Sequence, residues 1–421
     1  MRASGHCEAL RRPFCEGVLV VTQIFSDALH EQLGMWPIAY IPYGGADFGE
    51  VRSVARAIGD GDDNAFYDAW TEAADRMMDE GRVAEAHGHR ISAREYYLRA
   101  ACFYAKAFHP HFGYPVDPRI FESSRWQIDA FNRALALGDD PVEPVRIPFE
   151  ASSMLAYVIT AQGRPNERRP LLILTNGYDG TITDPFFASA VAASRRGYHC
   201  LIFDGPGQGT TLIDQGIHMR PDWETVIRAV VDFALTLPNV DSSRIVSSGW
   251  SLGGYLSPRA ASGEPRLAAC VADPAQSCIA DGFRAYAIKL GATPEQAAQL
   301  SLLPDALIER MEEIIAHDRK LTWSFLKRGY WVNGASNLRE YLASVEQFTM
   351  SGRIENIQCP TLFTLAEDDP LASGTQAFFD ALRCPKKLLR FNKAQGAGDH
   401  CEMTNRSLLN RKVLDWLDEV L

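Results

Sequence analysis

From Pro141 onward the chain alternates short apolar runs with segments of helical periodicity, and no other feature restricts its fold so tightly. Residues 145–149 and 154–160 alternate as strands. Further strands are expected at 171–174, 200–203, 245–246, 268–272, 361–365 and 387–391. Helix candidates fall between them at 185–196, 223–237, directly after Ser251, and 374–382, with a last helix over about 405–421. Strands separated by helices pair through crossovers that cover both faces, which gives a mainly parallel α/β sheet. The rhythm breaks once. Residues 277–357 show helical pattern and no convincing strand, and read as an insertion over the carboxyl edge of the sheet, where ligands bind in such folds.

Upstream of the sheet, residues 50–137 read as helices. Apolar residues recur at three- and four-residue spacing over 65–78 and 92–107. The segment is rich in aromatics, among them Tyr96, Tyr97, Phe103 and Tyr104. Its paired helices resemble a single repeat hairpin, but no second copy follows at a fixed period, so a solenoid is not expected. A chain of 421 residues exceeds one ordinary core, and two or three units are expected.

The net charge of −11 argues against a nucleic-acid backbone or an anionic membrane as partner. No apolar run approaches the ~20 residues that a membrane helix needs. Arg11-Arg12 and the apolar run 17–21 make a poor signal peptide, because the run is short and no clear small-residue cleavage site follows. The nine cysteines are odd in number and scattered, with no C-x-x-C pair, as suits free thiols in a reducing cytoplasm. His87 with His89, and His109 with His111, each lack a further ligand set, so no metal is expected there.

The segment Gly249-Trp250-Ser251-Leu252-Gly253 carries Gly-x-Ser-x-Gly between an expected strand and an expected helix. That context is the strand–turn–helix of a nucleophile elbow. Glycines leave room around a strained serine, and the helix start behind it offers free N–H groups. A serine nucleophile needs a base. In this arrangement the partners follow it in the order acid, then histidine. Only His317 and His400 lie downstream. His317 falls inside the insertion, ahead of any plausible acid strand. His400 lies in a Gly-rich loop after the last strand and is the expected base. The acid is expected after 361–365, in Ala366-Glu367-Asp368-Asp369-Pro370. Spacing favours Asp369, with Asp368 as runner-up and Glu367 behind. Asp369 would fix the imidazole tautomer and stabilise the imidazolium. The oxyanion hole is expected from the N–H of Leu252 and, from the loop after 171–174, the N–H of Tyr178. Each such donor is worth about 3–4 kcal/mol at the transition state. Phe203-Asp204-Gly205-Pro206-Gly207-Gln208-Gly209 lacks a full phosphate-binding pattern and reads as a tight turn beside the site.

Together FDGPGQG (203–209), Ser251-Leu252-Gly253-Gly254, EPRLAAC (264–270) and Gly398-Asp399-His400-Cys401 resemble the α/β-hydrolase family of 2,6-dihydroxypseudooxynicotine hydrolase. Fungal polyketide-shortening hydrolases share that layout. The resemblance spans roughly 148–421 and extends loosely upstream. It implies an α/β-hydrolase fold with an N-terminal helical domain (1–140) packed over the active site. The core would be split as 141–276 and 358–421 around a helical insertion, or cap, at 277–357. It implies cleavage of a C–C bond beside a ketone, by a Ser251–His400–Asp369 triad, with no cofactor and no metal. The departures are Asn176-Gly177-Tyr178 where the family has a Gly-Gly start, Ala366 where Gly is usual, and a longer insertion. Asp281 lies near the family's acidic substrate-positioning residue, but the surrounding residues do not match and the role is not carried over.

The expected activity is therefore a cofactor-free serine hydrolase acting on an acyl-aromatic or 1,3-dicarbonyl small molecule. The alternatives are a carboxylesterase or thioesterase, an acylaminoacyl-type peptidase, and a binding module that uses the fold without catalysis. An intact Ser251, Asp369 and His400 set disfavours the last. The expected location is the cytoplasm, with no nucleic-acid or membrane partner and a homodimer left open as the assembly.

Overall fold

The computed structural model describes residues 23–421; the apolar run 17–21, Cys7 and Cys15 lie outside the described residues. Its eight strands are β1 (Val145–Phe149), β2 (Ser152–Ile159), β3 (Arg169–Thr175), β4 (His199–Phe203), β5 (Val240–Trp250), β6 (Leu267–Asp273), β7 (Thr361–Ala366) and β8 (Lys386–Phe391). They form one sheet in the order β1-β2-β4-β3-β5-β6-β7-β8. β2 runs antiparallel to β1 and β4, and every other pairing is parallel. All eight expected strands are present.

The sequence accounts for their places. Leu171 to Leu174 of β3 and the whole of β4 are buried, as strands covered on both faces must be. β1 turns Ile147 and Phe149 inward and leaves Arg146 and Pro148 exposed. A proline is tolerated there because β1 is an edge. β8, the other edge, carries Lys386, Lys387 and Arg390, charges that discourage further strand pairing.

From β3 the chain crosses to β4 on one side, then passes back over β3 to β5 on the other. Growth of the sheet thus reverses between β3 and β5, and the loops leaving their carboxyl ends diverge around a crevice. Thr175, at the end of β3, pairs with Gly249 of β5. The segments that follow these two strands leave the sheet side by side.

Helices upstream of the sheet begin earlier than expected. Ala28–Gly34 and Trp36–Ala39 precede Phe48–Ile58, Asp63–Ala86, Arg90–Ala107 and Arg119–Ala136. The first is only seven residues long, too short for periodicity to reveal. Its start is fixed by Asp27, whose side chain accepts from the N–H groups of Leu29 and His30. The expected helix 185–196 is a composite of Thr183–Pro185, a π-turn at Phe186–Ala190 and Val191–Arg195. Residues 277–357 are helical, with Asp281–Lys289, Asp305–Ala316 and Leu338–Val345 among their helices and a π-helical segment at Thr322–Gly329. Their extended pairing among the described residues is one isolated bridge, Cys278 to Thr349.

The upstream helices and the sheet share one apolar core, whereas the insertion closes around a second, built on residues such as Leu300, Met311, Leu338 and Leu342. Phe131 meets Tyr157 and Phe186 edge-on at 5.0 and 5.1 Å, and Tyr40 stacks on Phe187 at 5.6 Å. The described cysteines are all unpaired thiols. No described helix is long and apolar enough to cross a membrane.

Candidate active site

β5 ends at Trp250 and a helix runs from Gly253 to Ala261. Ser251 between them has φ of +56°, a left-handed conformation that L side chains rarely adopt. Three hydrogen bonds hold it there. The Ser251 N–H donates to Asp273 O at 2.7 Å, while the Ser251 carbonyl accepts from Gly254 N–H at 2.9 Å and from Gln276 Nε2 at 2.7 Å. The glycine spacing is a packing demand. A Cβ at Gly249 would sit 2.1 Å from Gly253 O, and one at Gly253 would sit 2.7 Å from Thr175 O.

His400 meets Ser251 across the crevice. Its Nε2 lies 3.0 Å from Ser251 Oγ and its Nδ1 lies 2.8 Å from Asp369 Oδ2. The Asp369 side chain is 1% exposed, and its other oxygen accepts from Leu371 N–H at 2.9 Å. The two competing carboxylates turn elsewhere. Asp368 pairs with Lys393 at 2.9 Å on the surface, and exposed Glu367 accepts from the Lys393 N–H at 3.0 Å. Of the three acids in this turn, Asp369 alone contacts the imidazole. Burial pushes the His400 pKa down, but the hydrogen bond and charge of Asp369 outweigh it, and the net shift is upward from the ordinary value. His317 stays away, with Nδ1 on Glu313 O in its own helix.

The loop after β3 abuts the serine. A Cβ at Gly177 would sit 2.9 Å from Ser251 Cβ and 3.3 Å from Ser251 Oγ. Tyr178 follows directly. The N–H groups of Tyr178 and Leu252 have no hydrogen-bond acceptor among the described residues, as donors reserved for a ligand oxygen would not. Asn176 organises the loop: its Oδ1 accepts from Gly177 N–H and Trp250 Nε1, both at 2.9 Å, and its Nδ2 donates to Thr181 O at 2.8 Å. From the turn after β4, Gln208 Nε2 donates to the carbonyls of Asn176 and Gly177 at 2.8 and 3.1 Å. FDGPGQG is thus a brace for the loop beside the serine as well as a tight turn.

Beneath the histidine, Asp273 joins the parts. Its backbone carbonyl receives Ser251 N–H, and its carboxylate accepts from Thr364 Oγ1 of β7 and from Arg406. Cys401 and Glu402 both have positive φ. The Glu402 carboxylate is buried with no hydrogen-bond donor among the described residues, and burial reinforced by the neighbouring Asp273 carboxylate pushes its pKa well up. Asp369, His400 and Cys401 lie close enough together to suggest metal ligands. Both imidazole nitrogens are already engaged, however, and burial holds the Cys401 thiol neutral. The upstream histidines face backbone carbonyls: His87 Nδ1 that of Val83, His109 Nδ1 that of Ala105, and His111 Nε2 that of Asp63.

Two walls flank the crevice. From the upstream helices, Trp36 packs on Trp250 at 5.3 Å between ring centroids. From the insertion, Arg328 stacks over Tyr178 at 4.9 Å and Trp323 at 4.7 Å, and reaches Asp179 at 3.2 Å. The walls touch each other: Trp323 Nε1 donates to His109 O at 2.9 Å, and Phe112 packs on Trp331 at 4.6 Å. Asp281 is mostly exposed and pairs with Arg284.

Sequence reasoning missed Asn176, Gln208, Asp273, Gln276 and Arg328. Gln208 and Asn176 stand in segments the sequence singles out, and their amides were the available signal. The others act through contacts between distant segments.

The Alpha/beta hydrolase family model matches residues 171–404. Hydrolase acrC of Aspergillus aculeatus is 31% identical, covering 91% of this chain and 94% of its own. A 20-hydroxy-prefusarin hydrolase of Gibberella moniliformis is 31% identical over 90% of this chain and 93% of its own. Among solved structures, the 2,6-dihydroxy-pseudo-oxynicotine hydrolase superposes with a TM-score of 0.71 at 22% identity, covering 91% of this chain and 95% of that one, a likeness of fold.

Proposed function

Because the chain belongs to the alpha/beta hydrolase family and is a hydrolase, we propose that it is a serine hydrolase with Ser251 as nucleophile, His400 as general base and Asp369 as the residue that orients His400. The observation that carries this reading is the continuous row from Ser251 Oγ to His400 Nε2 at 3.0 Å and from His400 Nδ1 to Asp369 Oδ2 at 2.8 Å. Asp369 keeps the proton on Nδ1, so Nε2 faces the serine as an acceptor. Ser251 Oγ attacks a substrate carbonyl as its proton passes to Nε2. The oxyanion forms against the N–H groups of Leu252 and Tyr178. As the tetrahedral adduct collapses, the imidazolium returns the proton to the leaving group. Water, activated by the same imidazole, then releases the acyl group.

The substrate we propose is a small acyl-aromatic or 1,3-dicarbonyl compound cleaved at carbon. A carbon leaving group departs only if a neighbouring carbonyl or electron-poor ring holds its charge, or if it is protonated as it leaves, and protonated His400 can supply that proton. Support comes from a relative named as a 20-hydroxy-prefusarin hydrolase, and the fold is shared with the 2,6-dihydroxy-pseudo-oxynicotine hydrolase. The test compares turnover of p-nitrophenyl esters with that of aryl 1,3-diketones and dihydroxyaryl ketones. Ketone cleavage that disappears in Ser251→Ala supports the proposal. Efficient ester turnover with no ketone cleaved makes the enzyme a carboxylesterase.

A further inference from the structure

The helices upstream of the sheet reach the neighbourhood of Ser251 through a buried polar cluster as well as through packing. Lys106 lies in the helix Arg90–Ala107 and Asp184 just beyond the loop that follows β3. Their side chains are 3% and 1% exposed, and Nζ donates to Asp184 Oδ1 at 2.9 Å. Tyr40 OH donates to the same oxygen at 2.8 Å. The second oxygen accepts from Thr181 N–H at 2.7 Å and Thr181 Oγ1 at 3.0 Å. Both carboxylate oxygens are therefore doubly engaged, one by the upstream helical region and one by the loop. Gln127, in the helix Arg119–Ala136, adds Nε2 to Thr181 Oγ1 at 2.8 Å and Thr183 Oγ1 at 2.9 Å.

The hydrogen bonds do not stop at Thr181. Its carbonyl accepts from Asn176 Nδ2, and Asn176 Oδ1 in turn accepts from Gly177 N–H and Trp250 Nε1. Gly177 lies against Ser251, and Tyr178 is the next residue. A second route closes the ring: Trp36 packs on Trp250, and Lys106 Nζ lies 5.5 Å from the Trp36 ring.

A buried ion pair is a poor way to stabilise a fold. The attraction between two buried charges often fails to repay their desolvation, and an apolar pair of similar volume often leaves a protein equally or more stable. An apolar pair could not, however, fix the direction of the Thr181 N–H or anchor the carbonyl that holds Asn176. We infer that Lys106, Tyr40 and Asp184 are positioning residues through which the upstream helices set the geometry of the oxyanion loop, and hence the placement of the Tyr178 N–H. The inference rests on the serine-hydrolase reading. It makes the upstream helices part of the catalytic machinery in addition to a wall of the site.

The test uses full-length protein with Lys106→Met, Tyr40→Phe and the double variant Lys106→Met/Asp184→Asn, each checked for a melting transition. The probes are an alkyl fluorophosphonate, followed over concentration to separate the labelling rate at saturation from the half-saturating concentration, and phenylboronic acid, which forms an anionic tetrahedral adduct on a serine. Displacing one oxyanion donor should cost less than the ~10²–10³ lost on removing it. Lys106→Met should therefore label about tenfold or more slowly at saturation, with half-saturation within about twofold of wild type and boronate affinity reduced in parallel. The double variant removes the unpaired charge and keeps a carbonyl for Thr181, and should recover to within about threefold of wild type. Tyr40→Phe keeps its ring stacked on Phe187 and removes one donor. It should slow labelling about threefold with melting unchanged, and it serves as the test if Lys106→Met fails to fold. Labelling rate and boronate affinity unchanged in folded Lys106→Met or Tyr40→Phe overturn the inference, as does a loss confined to half-saturation in either. Wild-type protein that neither labels nor binds boronate overturns the serine-hydrolase reading, and this inference with it.

Discussion

Asp369→Asn tests the proposed site more sharply than removal of the serine, because the structure dictates which way the new amide must turn. One carboxylate oxygen accepts from Leu371 N–H at 2.9 Å and the other faces His400 Nδ1 at 2.8 Å. An asparagine has a single oxygen. Turned toward the imidazole, it would set its NH2 against the Leu371 N–H, donor against donor in a buried place, at a cost of about 1–3 kcal/mol. Turned toward Leu371, it presents N–H to Nδ1, and the imidazole proton must move to Nε2. Nε2 then donates toward Ser251 and can no longer accept from it. The same substitution removes the charge that stabilises the imidazolium. A loss near 10⁴-fold in kcat, about 5.4 kcal/mol, is expected, with melting little changed. The pH profile gives a second readout. His400 must be neutral to act as base, and Asp369 holds its pKa above the ordinary value, so the wild-type rate should rise with pH through a midpoint above about 6.5. With the carboxylate gone, burial is the main cause left, and the residual activity should titrate at lower pH. Stopped-flow acylation by a chromogenic substrate from pH 5 to 9 measures both. A folded Asp369→Asn protein that keeps more than about a hundredth of the wild-type rate, with the midpoint unmoved, would refute the reasoning.

Ser251→Ala should lower turnover by up to ~10⁶ with the fold intact, and adding His400→Ala should cost little more, because the residues act as a unit; activity above about a tenth of wild type would remove Ser251 from the reaction. Asp368→Asn should leave kcat within about twofold, since that side chain pairs with Lys393 on the surface. Gly249→Ala should abolish soluble expression or lower the melting temperature by more than ~5 °C, because its Cβ would lie 2.1 Å from a backbone oxygen. Glu402→Gln should raise the melting temperature more at pH 8 than at pH 4.5. A carboxyl whose folded pKa is raised holds its proton in the folded state while the unfolded chain releases it, so wild-type stability falls as pH climbs above about 4.3. Equal shifts at both pH values would argue against that burial penalty.

The sheet was legible because its strands are short, apolar and evenly separated, and burial on both faces leaves period and composition in agreement. Ser251 was legible because a strained turn excludes side chains, so the steric requirement at Gly249 and Gly253 is written directly into the sequence. His400 followed by elimination. Asp369 follows from spacing within a turn where Asp368 and Glu367 have equivalent chemistry, and burial and direction, which the sequence does not carry, distinguish the three. The Asp184 network had no sequence signal. Lys106 looks like one more charged helix residue, and its buried partner Asp184 lies 78 positions away. The helix at Ala28–Gly34 is too short to show a period, and the π-turns at Phe186–Ala190 and Thr322–Gly329 leave no pattern distinct from an α-helix.

The shared core imposes an order on synthesis. The helices between Ala28 and Ala136 leave the ribosome before the sheet, with Trp36, Tyr40 and Phe131 turned toward segments that do not yet exist. Trp36 must wait for Trp250, more than two hundred residues later. At bacterial or eukaryotic elongation rates that interval is on the order of ten seconds or longer. Through it the nascent chain presents an exposed aromatic face that can aggregate or bind a holdase chaperone. The insertion faces no such wait, since its apolar cluster is complete once its own residues have emerged. Slowing translation between Ala136 and Trp250 should therefore lower the yield of native enzyme far more than the same pause placed after Val345.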